Sequence, residues 1–177
     1  MDAKKQIQQF INPNWIPAVI LIVIFPLAFF GLILLLCVVL PGLNRSKKSI
    51  QKLEALGKLN QAAMELHSPT AKRYMDGKLI LTDNFVFCKR TGYIFTYDEL
   101  VWAYRHRFTQ RLLLIPIKVT DSLCLATRAM KAKQVVSMGK DKHDQIKFAL
   151  LEIHNHNTGC LLGYSDENVA AYKRMYG

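Results

Sequence analysis

From Ile16 to Leu43 the chain carries no charged side chain. These 28 residues would measure about 42 Å as a helix, against a hydrocarbon core of about 30 Å. The stretch therefore predicts one tilted or kinked transmembrane helix over residues 15–43 and is too short for two crossings. Trp15 falls where an interfacial anchor is expected. Pro17 falls in a first turn, where the missing N–H costs nothing. Pro26 predicts a kink, and Pro41-Gly42 a stop. A cleaved signal peptide fits poorly, because the run far exceeds an h-region of about 7–15 residues and no small-residue cleavage site follows. Cys37 lacks the small preceding residue of a lipid-attachment signal and reads as a small hydrophobe.

Flanking charge sets the expected orientation. Lys4 and Lys5 precede the run, in a short tail over residues 1–14, while Arg45, Lys47, Lys48, Lys52 and Lys58 follow it. That bias predicts a single-pass protein of the cell membrane with its C-terminal domain in the cytoplasm. A reducing compartment also suits Cys88, Cys124 and Cys160 as free thiols, none in a short-spaced pair.

Residues 44–68 predict an amphipathic juxtamembrane helix starting near Lys47. Ile50, Leu53, Leu56, Leu59, Ala63 and Leu66 share one face, and Glu54 and Lys58 stand at a favourable i,i+4 spacing. Such a helix suits either an anionic lipid surface or the following domain.

From Lys78 the period changes to that of short strands. Residues 79–82, 85–88, 93–96, 100–108, 111–118, 122–128 and 133–138 predict about seven strands of an antiparallel β-barrel or sandwich. Turns are expected at Asp83-Asn84, at Arg90-Thr91-Gly92, at Asp121-Ser122 and over Met130-Lys131-Ala132. In the fourth of these strands Leu100, Trp102, Tyr104 and His106 are expected on one face, with Val101, Ala103, Arg105 and Arg107 on the other. A helix follows, with Ile146, Ala149, Leu150 and Ile153 inward and Gly159 as its left-handed stop. Cys160–Gly163 predicts a short extended piece. A last helix is capped by Ser165, with its acids first and Lys173 and Arg174 last, as the helix dipole favours. The expected class is α+β, with the soluble domain over residues 70–177.

Two segments, Leu81-Thr82-Asp83-Asn84-Phe85-Val86-Phe87 and Ile94-Phe95-Thr96-Tyr97-Asp98-Glu99-Leu100-Val101-Trp102-Ala103-Tyr104, resemble bacterial PH-like (pleckstrin-homology-like) domains. The resemblance covers roughly residues 77–164. With Leu162-Gly163-Tyr164-Ser165-Asp166-Glu167-Asn168, the whole chain resembles an uncharacterised family of small membrane-anchored bacterial proteins carrying one such domain. The resemblance implies a strongly bent sheet closed at one end by a helix over residues 142–156. It implies no activity.

No phosphate-binding, dinucleotide-binding, zinc-protease or nucleophile-elbow motif occurs, so no catalytic residue and no cofactor is expected. His154, His156 and Cys160 lack a fourth metal ligand. Cys124 has neither a base nor a helix N-terminus beside it to activate it.

Charge is the stronger signal. The net charge is +11, and the basic residues cluster at Lys89-Arg90, at Arg105, Arg107 and Arg111, and at Arg128, Lys131 and Lys133. These eight are the candidate contacts for lipid or partner. Nucleic acid is disfavoured, because Phe85, Phe87, Trp102 and Tyr104 alternate as a core face does rather than as an exposed stacking platform. The leading expectation is a membrane-anchored, non-enzymatic interaction module that binds a protein partner, itself of the membrane, at a strand edge or beside the C-terminal helix. The alternatives are an anionic-lipid headgroup sensor and, behind it, a membrane-bound enzyme.

Overall fold

The computed structural model describes residues 3–4, 6–7, 40–112, 115–138 and 143–176. The greater part of the uncharged run, with Trp15, Pro17, Pro26 and Cys37, lies outside the described residues. Among those described, no helix is long and apolar enough to cross a membrane.

The fold is α+β. In chain order it has α1 (Leu40–Ala55), α2 (Leu59–Leu66), β1 (Lys72–Tyr74), β2 (Leu79–Leu81), β3 (Phe85–Cys88) and β4 (Tyr93–Thr96). A 3-10 turn (Tyr97–Glu99) leads into β5 (Leu100–Leu112), β6 (Ile115–Thr127), β7 (Met130–Met138), α3 (His143–His156), β8 (Leu161–Leu162) and α4 (Asp166–Tyr176). One sheet runs β1-β2-β3-β4 and the other β7-β6-β5-β8. Every pairing is antiparallel except the short parallel contact of β8 with β5.

The main core lies between the sheets. Leu79, Leu81, Val86, Cys88 and Phe95 of the first sheet meet Ala103, Leu123 and Leu125 of the second, and Ile146, Ala149 and Ile153 of α3 close the space. The 3.6-residue spacing of those three α3 positions presents one stripe to the core, and all three are fully buried. Each large side chain buried in this way contributes about 1.5–3 kcal/mol relative to exposure.

The outer face of the first sheet is covered as well. Ile80, Phe85, Phe87 and Ile94 pack against Ile50 and Leu53 of α1 and Ala62, Ala63 and Leu66 of α2. The segment over residues 44–68 thus packs on the domain. Its single predicted helix is two. Gly57, at φ 65°, ends α1 in a Schellman turn: Lys58 N–H donates to the Leu53 carbonyl at 2.9 Å and Gly57 N–H to that of Glu54 at 3.0 Å. Pro41-Gly42 is no stop, since both residues belong to α1.

Glu65 of α2 locks this layer to the β2–β3 turn. Its carboxylate accepts from Thr82 Oγ1 at 2.7 Å, Asn84 N at 3.0 Å and Asn84 Nδ2 at 2.6 Å. Burial raises its pKa, but the bonds from Asn84, Thr82 and Gln61 outweigh that and hold it below the usual carboxylate range. Glu65→Ala is expected to cost about 1–3 kcal/mol by removing the bonds from Thr82 Oγ1, Asn84 N and Asn84 Nδ2 together, although Thr82 Oγ1 still has the Phe85 carbonyl at 3.2 Å as an acceptor. Thermal unfolding of the full chain in detergent checks this, and Glu65→Gln should retain part of the loss.

Several local expectations change. The predicted strand 111–118 is the far end of a long hairpin in which Arg111 pairs with Pro116 and Leu112 with Ile115. Asp121-Ser122 is no turn but mid-strand in β6, where Asp121 pairs with Arg107 on one side and Met138 on the other. The turn expected over residues 130–132 is at Arg128-Ala129. A register shift between Leu100 and Trp102 breaks the expected alternation, so Leu100 joins Ala103 in the main core while Trp102 is buried in a separate cluster with Val101 and Ala126. The left-handed residue after α3 is Gly163 (φ 81°) and not Gly159. Asn157 instead anchors that helix end, donating through Nδ2 to the carbonyls of Tyr97 at 2.7 Å and Leu100 at 2.9 Å. Strand β1 was not expected, since Lys72-Arg73-Tyr74 is short and polar.

Candidate functional site

A groove of about 290 Å³ opens between α3, β5 and β8, lined by Arg105, Ile146, Lys147, Leu150, Leu151, Leu162 and Gly163. Its walls follow from local structure. Ile146 and Leu150 stand at i,i+4 on α3, so they project from one side of the helix. Gly163 N–H donates to the Ala103 carbonyl at 2.9 Å. The left-handed backbone of Gly163 then turns the chain off the sheet. β8 therefore pairs with β5 only at Trp102 and Ala103. Beyond Ala103, among the described residues, β5 is paired only with β6.

The rim combines apolar surface with cations. Leu151 of the lining is 48% exposed; Phe148, on the same helix but outside the lining, is 58% exposed. Lys147 is exposed. Arg105 is held in place: its Nε donates to Asp121 Oδ1 at 3.0 Å. Arg107 binds the same carboxylate through Nε at 3.0 Å and Nη2 at 3.3 Å. Burial raises the Asp121 pKa, but the bonds from Arg107 and Arg105 prevail and lower it overall.

Arg105 and Arg107 are thus brought together, but as the partners of a fully buried acid. Both are among the candidate contacts of the sequence; Arg107 is exposed and Arg105 half-buried. Arg111 lies farther along the same strand, and nothing of its side chain is described. Lys89 and Arg90 are exposed in the β3–β4 turn. That turn rests on α1, where Ser49 Oγ donates to the Gly92 carbonyl at 3.0 Å and the Arg45 guanidinium lies 5.6 Å over the Tyr93 ring. Arg128 is exposed in the β6–β7 turn of the other sheet, and Lys131 and Lys133 lie on β7. Of the candidates whose side chains are described, Lys89 and Arg90, Arg105 and Arg107, and Arg128 stand on three separate parts of the fold.

Among the described residues no group of three or more His, Cys, Asp or Glu is placed to hold a metal ion. His156 stacks on Tyr97 at 4.3 Å and lies 3.4 Å from Glu152. Burial pushes the Cys88 and Cys124 thiols up, and that of Cys160 to about 12, which leaves them poor nucleophiles. Sequence reasoning missed Lys147, Leu151, Leu162 and Gly163. The available signal was Phe148 and Leu151, two large apolar residues off the inward stripe of α3.

Residues 45–172 match the family described as a domain of unknown function, DUF6709. The chain belongs to that family. The DUF6709 match begins within α1 and ends within α4, so it takes in the helix pair, both sheets and the groove. No curated protein and no solved structure matches the chain.

Proposed function

We propose that this DUF6709 protein is a membrane-anchored, non-enzymatic interaction module whose groove beside α3 takes an extended segment of a partner protein. The observation that carries this reading is the meeting of an apolar groove with an open strand edge at Tyr104–Arg105. A partner strand added along β5 would gain main-chain hydrogen bonds, while alternate side chains enter the groove. Arg105 and Lys147 favour an acidic residue at one end of that segment.

A PH-like fold is the reading of the architecture that we favour. Support comes from the order of a four-stranded sheet, a second sheet begun by three consecutive strands, and a closing helix. The residues of the resemblance also have structural roles. Tyr97 OH donates to the Thr82 carbonyl at 2.9 Å, and Glu99 Oε1 accepts from Thr96 N at 2.7 Å.

A photo-crosslinking residue at Leu151 of the full chain, in its own membranes, tests the groove. The expected result is a discrete protein adduct that is missing when the crosslinker stands at exposed Lys173. Adducts to lipid alone, or the same adduct from both positions, would overturn the proposal.

A second reading is favoured by the placement of Lys89 and Arg90 against α1, close in sequence to the uncharged run. These residues and Arg45 would sit near anionic headgroups, each worth about 1 kcal/mol near such a surface. In that reading the domain senses lipid, and its liposome affinity falls steeply with salt.

A further inference from the structure

We infer that both ends of the uncharged run lie on the same face of the bilayer, so that the anchor enters and leaves one face without crossing. The inference rests on the reading of that run as a membrane anchor. It is carried by contacts between residues on either side of it. Lys4 Nζ lies 2.8 Å from Glu54 Oε1. Ile7 is fully buried in the cluster formed by α1, α2 and the outer face of the first sheet. Ala3 and Gln6 border a cavity with Ala63 and Met64 of α2 and with His67 just past its end. A single crossing would put about 30 Å of hydrocarbon between Lys4 and Glu54 and would strip Ile7 from its core.

The sequence is compatible with a return. Pro26 and Gly31 bracket the middle of Ile16–Leu43, and Pro26 has no N–H to leave unsatisfied in lipid. Apolar stretches of about 10–14 residues, roughly the halves of this run, are the lengths expected of re-entrant segments. Charge agrees too. With both flanks on one face, Lys4, Lys5, Arg45, Lys47, Lys48, Lys52 and Lys58 all meet the same leaflet, and none needs to be translocated. The expected single-pass arrangement would instead divide them.

The test uses the full chain in sealed membrane vesicles and a membrane-impermeant maleimide. A cysteine is placed at Asp2→Cys or at Lys173→Cys, in a Cys37→Ala background. Cys88, Cys124 and Cys160 are buried and stay silent. The expected result is that the two sites behave alike in intact vesicles, both labelled or both protected until detergent opens the membrane. One site labelled and the other protected would overturn the inference while leaving the anchor intact. Release of the chain by alkaline carbonate would instead overturn the anchor reading, and the inference with it.

Discussion

Trp102→Ala is expected to destabilise the full chain by about 3–5 kcal/mol, the range for truncating a buried aromatic. Trp102 is only 4% exposed. Its indole Nε1 donates to the Gly163 carbonyl at 2.8 Å, and its ring lies 4.4 Å from Tyr104 and 5.2 Å from Tyr172. Helix α4 has no fully buried residue of its own; Val169, Tyr172 and Tyr176 dock on the Trp102 cluster, and Asn168 Nδ2 adds bonds to the carbonyls of Leu162 at 2.7 Å and Gly163 at 3.2 Å. The loss should therefore be local as well as global. Hydrogen exchange of residues 166–176 should lose most of its protection in Trp102→Ala, while β2 and β3 keep theirs below the unfolding transition. Trp102→Phe, which keeps a ring but loses the indole N–H, should cost less. Undiminished protection of α4 in Trp102→Ala would contradict this account of its docking.

Asp121→Ala should cost about 2–3 kcal/mol. Breaking a buried ion pair from one side costs about 3–5 kcal/mol, but here the stranded cations can reach water: Arg105 and Arg107 are 22% and 52% exposed. The substitution also frees Arg105, which lines the groove, so partner binding should weaken even where the fold survives. The sign of the pH effect follows from the depressed pKa of Asp121. Its stabilisation is present above its unfolded pKa of about 4 and is lost as pH falls through the lower folded value. Between about pH 5 and pH 3, the parent should lose stability more steeply than Asp121→Ala. Thermal unfolding across that interval reads both effects, and parallel curves for the two proteins would contradict the ion-pair account.

Strands β2 and β3 of the first sheet were legible, unlike β1, because Leu79-Ile80-Leu81 and Phe85-Val86-Phe87-Cys88 are unbroken apolar runs between turn residues. The same absence of alternation signals a sheet buried on both faces, which the helix pair and the second sheet together provide. The capping of α4 by Ser165 was legible too, and Ser165 Oγ accepts from Asn168 N at 3.1 Å. Asp121 was not. An acid followed by a serine reads locally as a turn, and only the long-range pairing of β5 with β6 brings Arg105 and Arg107 to it. The parity of Trp102 was lost to a bulge, which one strand's sequence does not announce. The groove was anticipated only as a place beside the C-terminal helix. Its walls come from α3, β5 and β8, and their meeting is a tertiary fact.

The most direct test of the groove as a partner site is quantitative recovery of the tagged full-length protein from its own membranes in mild detergent. Copurifying protein and lipid would be identified by mass spectrometry for the parent, for Leu151→Glu, and for the combined Lys89→Ala and Arg90→Ala variant. The account predicts a stoichiometric protein partner that survives moderate salt, is lost in Leu151→Glu and is retained in the Lys89/Arg90 variant. Recovery of anionic lipid alone, lost in the Lys89/Arg90 variant and unaffected by Leu151→Glu, would contradict it.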